Sequence, residues 1–342
     1  MRAIVIHAPE DLRIEERAAG DPGPGQVRVR MAAGGICGSD LHYYRHGGFG
    51  TVRLKEPMIL GHEVSGYVDA LGDGVDGLAI GDLVAVSPSR PCGACRYCLE
   101  GRPNQCLHMR FYGSAMPFPH IQGAFREMLV ADAAQCVPAD GLSAGEAAMA
   151  EPLAVCLHAL GQAGEVFGCD VLVTGCGPIG LLCVLAARRA GARRIVVTDL
   201  APFPLEMAER VGADVALNLS DDDGLRPYSE GKGTFDICFE CSGAAPALAG
   251  AIGAMRPGGV IVQLGLGGDM PVPVQALTAK ELALKGSFRF HAEFAVGVEL
   301  MRKGLIEVAP LITQTMPLDD AVAAFELAGD RSRAIKAQIA FA

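Results

Sequence analysis

One short stretch of the chain decides its fold: Val171-Leu172-Val173-Thr174-Gly175-Cys176-Gly177-Pro178-Ile179-Gly180. Its apolar beginning predicts a buried strand, Val171 to Val173, and the apolar run after it predicts a helix, Ile179 to Ala190. The glycines between them form the pattern G-x-G-x-x-G. Gly175 permits a tight turn, Gly177 lets the backbone approach a pyrophosphate, and Gly180 allows the helix to pack closely on the strand.

The start of this helix is a natural phosphate site, because its first N–H groups are free and the positive end of the helix dipole lies there. We therefore expect Pro178 and Ile179, together with the three glycines, to bind the diphosphate of a dinucleotide. The alternative interpretation is a tight turn in an α/β sheet that binds no ligand.

An acidic residue follows this motif at the expected distance. Asp199 ends the next predicted strand, Ile195 to Thr198, and lies 19 residues after Gly180. A carboxylate at this position accepts a hydrogen bond from the ribose 2′-hydroxyl, and its charge repels a 2′-phosphate. NAD is therefore the expected cofactor, ahead of NADP.

The segments after Asp199 continue the alternation of helices and strands. A helix is predicted from Pro204 to Val211, and apolar strands are predicted at Phe235–Phe239, Val260–Leu264 and Leu282–Leu284. Fully apolar strands separated by helices indicate a parallel sheet that is covered on both faces.

Two glycine-rich loops follow strands of this predicted sheet, Cys241-Ser242-Gly243 and Gly265-Leu266-Gly267-Gly268. Ligands of open α/β sheets bind at the carboxyl ends of the strands. We therefore expect Ser242, Gly265 and Leu266 to line the nicotinamide pocket. The alternative is that both loops are ordinary strand–helix turns.

The chain up to about residue 150 has a different pattern. Short strand-like runs such as Gln26–Met31 and Leu83–Val86 alternate with glycine and proline. Such punctuation predicts a small barrel-like β domain. A length of 342 residues is consistent with two domains.

Four cysteines stand close together with the spacing C-x2-C-x2-C-x7-C: Cys92, Cys95, Cys98 and Cys106. Four thiolates at such short intervals suit a closed, tetrahedral structural zinc site, which leaves no open position for chemistry. The alternatives are ligation of an iron–sulfur cluster, which uses similar spacings, and unrelated cysteines of the core.

A second candidate metal site is dispersed along the chain. Cys37 and His62 are suitable ligands for a catalytic zinc, and a carboxylate, Glu63 or Glu151, completes the set. Adjacent side chains of an extended segment face opposite ways. His62 and Glu63 can therefore both ligate only in a turn or at a helix start, for which Gly61 is suited.

Composition narrows the classes of partner and compartment. The net charge of −10 disfavours a nucleic-acid partner and an anionic membrane surface. No secretory signal is visible, and the uncharged segment from Val171 to Ala187 is too short and too rich in glycine for a membrane span. We expect a cytoplasmic protein, in which the seven other cysteines are small hydrophobic residues: Cys136, Cys156, Cys169, Cys176, Cys183, Cys238 and Cys241.

Together these motifs carry a family likeness. Gly35-Ile36-Cys37-Gly38-Ser39-Asp40, Gly61-His62-Glu63, the four cysteines and the glycine motif resemble the medium-chain zinc alcohol dehydrogenases over essentially the whole chain. The resemblance implies a GroES-like β-barrel catalytic domain that holds two zinc ions (1–150), an α/β Rossmann domain (151–288), and a segment that returns to the first domain (289–342). The active site would lie in the cleft between the domains.

Glu151-Pro152-Leu153 sits where simple alcohol dehydrogenases of this family place a third cysteine ligand. A glutamate there resembles the sorbitol dehydrogenase branch, and this implies that Glu63 ligates the zinc and that Glu151 binds the metal or its water. Two segments, 109–116 and 285–290, are similar to bacterial members of the branch that act on a polyhydroxy acid.

The resemblance also implies roles for individual side chains. Ser39 would contact the substrate oxygen, and His42 would be the outer member of a proton relay. Arg289 would hold hydroxyls or a carboxylate of the substrate by its fork of donors. Phe288 is grouped with the cofactor-binding residues. The alternative interpretations are a turn hydroxyl for Ser39, a surface histidine for His42 and a structural ion pair for Arg289.

The expected reaction is transfer of a hydride from a secondary alcohol of a small polyol or polyhydroxy acid to NAD, by a homo-oligomer (a dimer or a tetramer). Sorbitol, xylitol and threonine dehydrogenases are the alternatives within the family. Outside the zinc dehydrogenases, the alternatives are a non-catalytic NAD-binding or redox-sensing protein and a zinc-free quinone reductase. Neither of these requires Cys37, His62 and Glu151 as a set.

Overall fold

The computed structural model describes residues 1–220 and 224–341. Two large sheets organise these residues, a seven-stranded and mainly antiparallel sheet and a six-stranded parallel sheet. The first part of the chain and its last strands form the seven-stranded sheet, and the middle part forms the parallel sheet.

Short strands and short helices build the first part of the chain. In chain order they are β1 (Arg2–Ala8), β2 (Asp11–Glu16), β3 (Gln26–Gly35), α1 (Gly38–His46), β4 (Gly48–Phe49), β5 (Val52–Arg53), β6 (Met58–Ile59), β7 (Glu63–Leu71), β8 (Leu83–Val86), β9 (Ser89–Arg90), α2 (Arg96–Leu99), β10 (Arg110–Phe111), β11 (Met128–Asp132), β12 (Cys136–Pro138) and α3 (Ala144–Ala148).

Strand β3 is central to the seven-stranded sheet. The order of this sheet is β12-β8-β7-β3, followed by two strands from the end of the chain, β20 (Lys336–Ala340) and β19 (Ile312–Pro317), and β11 is also paired to β3. Its neighbours β7, β11 and β20 are antiparallel to it. Alternate residues of β3, Val27, Val29 and Met31, are fully buried, as the two-residue period of a strand requires. The strand ends at Gly35 and so delivers Cys37 to the margin of this sheet.

The middle part of the chain alternates strands with helices. Its elements are α4 (Ala150–Ala163), β13 (Asp170–Thr174), α5 (Pro178–Arg189), β14 (Arg194–Asp199), α6 (Pro202–Arg210), β15 (Val215–Asn218), α7 (Arg226–Ser229), β16 (Phe235–Glu240), α8 (Ala245–Ala254), β17 (Met255–Gln263), α9 (Val274–Lys280) and β18 (Ala283–Gly286).

The parallel sheet has the strand order β15-β14-β13-β16-β17-β18, and every neighbouring pair in it is parallel. This is the doubly wound order, which reverses between β13 and β16 and opens a ligand crevice at their carboxyl ends. The α/β fold predicted from the glycine motif is therefore confirmed.

The predicted elements are present, with ends that shift by a few residues. Helix α6 starts at Pro202 rather than at Pro204, because proline is well suited to the first position of a helix. Strand β17 starts at Met255 rather than at Val260, because residues 256–259 form an irregularity within the strand.

The apolar segment from Val171 to Ala187 is divided between strand β13 and helix α5. Residues 171–174 of β13 are fully buried in the middle of the sheet and carry no charge, whereas Asp170 at the start of the strand pairs with Arg193 and Arg194. Within the described ranges, no helix is both long and apolar enough to cross a membrane.

The last part of the chain returns to the first sheet. Its strand β20 pairs with β3 so that Gln338 lies opposite Gly35. Phe325 is fully buried and packs edge-on against Phe125 and Tyr44 of the first part. The elements of this part are α10 (Glu293–Arg302), β19 (Ile312–Pro317), α11 (Ala321–Ala328) and β20 (Lys336–Ala340).

Candidate active site and cofactor cleft

Three candidate metal ligands meet beyond the end of β3. One ligand atom each of Cys37, His62 and Glu63 lies within 4.8 Å of the others. Gly61 has a φ of +91°, a left-handed conformation that suits glycine and turns the chain just before β7. A Cβ atom at this position would also collide with the ring of Phe125. The turn at Gly61 thus brings two adjacent side chains to one point.

Asp40 connects the two loops that carry these ligands, and sequence reasoning did not identify it. Its carboxylate is fully buried and accepts hydrogen bonds from the backbone N–H groups of Cys37 (3.0 Å) and Gly61 (3.2 Å). Its Oδ1 lies 3.7 Å from Nδ1 of His62. The available signal was a capping box, because Asp40 is the third helical residue after Cys37 and bonds back to it.

Lys336 is a second residue that sequence reasoning missed. Its Nζ lies 2.8 Å and 2.6 Å from the two carboxylate oxygens of Glu63 and 3.2 Å from the carbonyl oxygen of Ile36. Burial acts to lower the pKa of Lys336, but the negative charge of Glu63 and its hydrogen bonds to Lys336 act in the opposite direction, and this pKa is raised. A buried ammonium group therefore faces the three candidate ligands.

Glu151, the other candidate carboxylate, lies in the first turn of α4 and is also buried. Burial raises the pKa of Glu151 to about 8, and the charges of Glu63 and Cys37 act in the same direction. Glu151 is thus close enough for the charge of Glu63 to affect its pKa, but its oxygens are not part of the 4.8 Å group formed by the described residues. The choice of Glu63 or Glu151 as the zinc ligand stays a prediction.

The donor set at this point suits a zinc ion. Nδ1 of His62 is buried and has no hydrogen-bond partner among the described residues. Burial, followed by the charge of Glu63, raises the pKa of the Cys37 thiol to about 12. Thiolate, imidazole and carboxylate are the usual ligands of a catalytic zinc, and a cation would stabilise the thiolate. The residues present therefore fit the metal.

The four clustered cysteines form a separate group. Ligand atoms of Cys92, Cys95, Cys98 and Cys106 lie within 4.8 Å of one another. Sγ of Cys95 is 3.6 Å from Sγ of Cys98 and 3.9 Å from Sγ of Cys106. A zinc tetrahedron with Zn–S bonds of about 2.3 Å has S···S edges of roughly 3.8 Å, so the lobe fits a structural zinc ion.

A cavity of 310 Å³ lies between the two parts of the chain. The first part of the chain, which we call the catalytic part, contributes His42 and Arg45 of α1 to the lining of this cavity. The middle part contributes Gly177 and Pro178 at the start of α5. The C-terminal segment contributes Arg331. The cavity therefore holds the predicted phosphate site and the outer residue of the predicted proton relay.

The three motif glycines differ in what surrounds them. Gly175 has a φ of +84° and makes the tight turn. A Cβ at Gly180 would lie 1.8 Å from the carbonyl oxygen of Gly175, so the helix could not approach the strand as closely. A Cβ at Gly177 would have no neighbour within 4 Å, so the space above it is open to a ligand. These surroundings match the role expected of each glycine.

Asp199 stands at the end of β14, beside the motif. Its Oδ2 accepts a hydrogen bond from the backbone N–H of Cys176 (2.7 Å), and its Oδ1 accepts from Leu200 (2.7 Å) and Ala201 (3.1 Å). The carboxylate also forms an ion pair with Arg331 of the C-terminal segment. Asp199, the residue predicted to bond to the ribose, is thus already paired with a cation. The sequence did not reveal this pairing.

The two glycine-rich loops pack against each other at the carboxyl ends of β16 and β17. A Cβ at Gly265 would lie 2.1 Å from the backbone nitrogen of Gly243. The buried carboxylate of Glu240 accepts hydrogen bonds from the backbone N–H groups of Ser242 (3.0 Å) and Gly243 (3.1 Å). Glu240 therefore holds these loops in place, whereas Leu266 is 71% exposed at their rim.

The predicted substrate-side residues fall in different surroundings. Ser39 is half-buried and its hydroxyl interacts with the thiol of Cys37. The guanidinium of Arg289 lies over the ring of Phe111 (4.2 Å to the centroid) and that of Phe288 (4.9 Å). Phe288, grouped above with the cofactor residues, lines another cavity of 670 Å³ next to the cysteine lobe.

Comparison with known proteins identifies the family. The model of the alcohol dehydrogenase GroES-like domain matches residues 23–144, and the model of the zinc-binding dehydrogenase matches residues 178–303. The chain belongs to the zinc-containing medium-chain alcohol dehydrogenases. The match confirms the resemblance and the predicted combination of a GroES-like domain with a Rossmann domain.

Two curated relatives and one solved structure illustrate the branch of this alcohol dehydrogenase family. L-idonate 5-dehydrogenase (NAD(P)(+)) of Escherichia coli K12 is 44% identical over 315 residues, which cover 92% of this chain and 91% of the relative. Human sorbitol dehydrogenase is 36% identical over 330 residues, or 95% and 91% of the two chains. The crystal structure of L-idonate 5-dehydrogenase from E. coli K-12 matches with a TM-score of 0.95 and 41% identity over 99% of this chain and 98% of that one.

As a member of this branch, the alcohol dehydrogenase described here is a zinc- and NAD(P)-dependent enzyme that acts on polyols or related alcohols. The expected class of reaction is confirmed. The individual site residues are assigned by their geometry and remain proposals.

Two substitutions test the glycine motif. We expect Gly180→Ala to lower the stability of the free protein by about 1–3 kcal/mol, because α5 must shift away from the turn. Gly177→Ala should leave that stability almost unchanged and weaken NADH binding at least tenfold, about 1.4 kcal/mol. Denaturant unfolding and equilibrium NADH titration measure the two effects. Equal behaviour of both variants in the two assays would contradict the separate roles.

The metal sites are tested by zinc content. We expect two zinc ions per chain, and a chelator should remove the one held by Cys37 and His62 first, because an open site releases metal more readily than a closed one. Activity should then be lost while the circular dichroism spectrum persists. Cys37→Ser, as the matched variant, should retain one zinc ion. A wild-type protein with zinc in the cysteine lobe alone would disprove the second site.

Proposed function

We propose that this dehydrogenase oxidises the C5 hydroxyl of L-idonate to give 5-keto-D-gluconate, with NAD as the preferred hydride acceptor and NADP as the second. The relative at 44% identity is named for this reaction. Within the site, the supporting observation is the guanidinium group of Arg289, which forms no ion pair with a carboxylate of the described residues and contacts Sδ of Met116 at 3.4 Å.

Arg289 has the features of a group held ready for an anion. Its backbone φ is +57°, a conformation that costs free energy for any residue other than glycine and is typical of functional sites. Burial lowers the pKa of Arg289 to about 10, and the negative charge of Glu151 acts in the opposite direction. Stacking on Phe111 supports the cation without a counter-ion. The carboxylate of a sugar acid would supply that counter-ion.

The other residues of the site have separate tasks in metal binding and substrate binding. Cys37 and His62, with Glu63 or Glu151, would hold the zinc ion. When bound, the zinc ion lowers the pKa of a coordinated hydroxyl group, and the nicotinamide accepts a hydride. Arg289 binds the acid end of the substrate and so selects which hydroxyl reaches the metal.

The proton of the substrate hydroxyl needs a route to water. Ser39 and His42 lie three residues apart on α1 and therefore project from neighbouring positions on one face of this helix. Ser39 is next to Cys37, and His42 lines the cofactor cleft. Burial lowers the pKa of His42 and so favours the neutral imidazole, which is the form that accepts a proton. We assign the relay to these two residues.

Sorbitol or xylitol is the second candidate substrate, since sorbitol dehydrogenases are 36% identical to this chain. A neutral polyol has no group that requires the charge of Arg289, and threonine dehydrogenase activity has no supporting observation in the site. The acid is therefore the better match to the pocket.

We also propose that the enzyme forms a homo-oligomer, a dimer or a tetramer. Strand β18 is an edge of the parallel sheet, and an edge strand offers unpaired backbone groups to another chain. Leu284 of this strand is an exposed apolar residue, and Val274 of the preceding helix is also exposed. A second copy of the chain could cover both features.

Substitution of Arg289 tests the choice of substrate. We expect Arg289→Ala to reduce kcat/KM for L-idonate about 30-fold, roughly 2 kcal/mol, because a charge-assisted hydrogen bond to the carboxylate is lost. The value for sorbitol should change less than about threefold.

Arg289→Lys is the matched control, because it keeps the charge and should restore part of the activity on L-idonate alone. Equal losses for L-idonate and sorbitol would show that Arg289 does not bind the acid. A wild-type preference for sorbitol would move the enzyme to the second candidate.

A further inference from the structure

Arg331 connects the C-terminal segment to the nucleotide-binding sheet. It lies between α11 and β20, and its guanidinium group pairs with the carboxylate of Asp199 at the end of β14. The two partners differ in exposure, because the Arg331 side chain is 56% exposed and that of Asp199 is 2% exposed. The arginine is thus a long surface side chain that closes over a fixed, buried acid.

The hydrogen bonds of Asp199 leave little room for a further donor. A carboxylate accepts about four hydrogen bonds. Three come from backbone N–H groups, those of Cys176, Leu200 and Ala201, and the fourth comes from Arg331. The backbone donors are fixed by the strand and the turns. A ribose hydroxyl can therefore bond to Asp199 only if Arg331 moves aside.

The position of Arg331 also indicates which part of a bound dinucleotide it would contact. It lines the 310 Å³ cavity together with Gly177 and Pro178, and its partner Asp199 bonds to the backbone of the glycine motif itself. In this class of site, the acid lies beside the 2′ position of the adenosine ribose, and a nearby arginine accommodates a 2′-phosphate. Arg331 is such an arginine, although it comes from the other end of the chain.

We propose that Arg331 determines cofactor choice by allowing NADP to bind beside Asp199. With NAD, the ribose hydroxyls take the place of the guanidinium group on the carboxylate. With NADP, the guanidinium group stays at the cleft and binds the 2′-phosphate, so that its charge offsets the repulsion by Asp199. This inference rests on the proposed role of Asp199 in cofactor binding and does not depend on the substrate.

The two cofactors should respond oppositely to the loss of this arginine. NADH has to displace Arg331 from Asp199, so removal of the side chain costs NADH nothing and can tighten its binding. NADPH loses the cation that faces its 2′-phosphate and is left with the negative charge of Asp199. A purely structural role for Arg331 would weaken both cofactors alike.

Arg45 is a suitable control residue. It lines the same cavity and its guanidinium group packs against Gly329, where an added Cβ would lie 1.8 Å from its nitrogen. Among the described residues, Arg45 forms no ion pair with Asp199, which pairs with Arg331 instead. A general electrostatic contribution of Arg45 would act on the diphosphate, which NADH and NADPH share.

The test is an equilibrium titration of the zinc-loaded protein with NADH and with NADPH, without substrate, followed by nicotinamide fluorescence. For Arg331→Ala we expect the Kd for NADPH to rise at least tenfold, about 1.4 kcal/mol, and the Kd for NADH to fall or to stay within about threefold. Arg45→Ala should change both values by the same factor. The NADPH affinity of wild type should also depend more steeply on salt than that of Arg331→Ala.

Three results would overturn the proposal. One is an equal rise of both Kd values in Arg331→Ala, a second is no change in either, and a third is a wild-type protein that does not bind NADPH at millimolar concentration.

Asp199→Ala separates this inference from its premise. If this variant binds NADH as tightly as wild type, the role of Asp199 itself is wrong. If it binds NADH weakly while Arg331→Ala leaves NADPH binding unchanged, the role of Arg331 alone is wrong.

Discussion

The buried ion pair between Lys336 and Glu63 is the interaction on which the arrangement of the site depends. The two residues are 273 positions apart in the chain, and their side chains are 2% and 1% exposed. Removal of two charges from water is costly, and the cost is recovered only when both partners are present in good geometry. Lys336 bonds to both oxygens of Glu63 and to the carbonyl oxygen of Ile36, so it meets this condition. The pair ties β20 to the start of β7 directly beside Cys37 and His62.

The return of the chain to the first sheet adds residues to both the metal site and the nucleotide site. Because β20 lies against β3, α11 packs into the core of the catalytic part and the segment between them passes the mouth of the cofactor cleft. Arg331 of that segment reaches Asp199 in the parallel sheet. Strand β20 therefore supplies the cation Lys336 to the metal ligands, and the segment before it supplies the cation Arg331 to the nucleotide site. Both sites are completed by the same crossing between the two parts of the enzyme.

Local patterns in the sequence were sufficient to predict the architecture. The glycine motif predicted the first strand, turn and helix of the parallel sheet, because its residues lie within ten positions: Gly175 makes the turn, Gly180 lets the helix approach the strand, and Gly177 leaves space for a ligand. The spacing of the four cysteines predicted their convergence for the same reason, and Gly61 indicated the turn that brings His62 and Glu63 together. Each of these predictions depends on neighbours along the chain.

The residues that were missed act through distant partners. Lys336 and Arg331 follow no recognisable motif, and their roles appear only when β20 is placed beside β3 and the segment before it beside β14. Glu240 directly follows the predicted strand Phe235–Phe239, and its function depends on loops that follow two different strands. The role of Asp40 could have been predicted, since its capping position can be recognised from the sequence.

A double-mutant cycle on Lys336 and Glu63 tests the central role of the buried pair most directly. The free energy of unfolding should be measured for wild type, Lys336→Met, Glu63→Gln and the double variant, with zinc content determined for each. Lys336→Met alone should cost about 3–5 kcal/mol, because it leaves a buried carboxylate unpaired, and the double variant should lose clearly less than the sum of the two single losses. Additive losses in the cycle would show that the two charges do not depend on each other and would contradict the account.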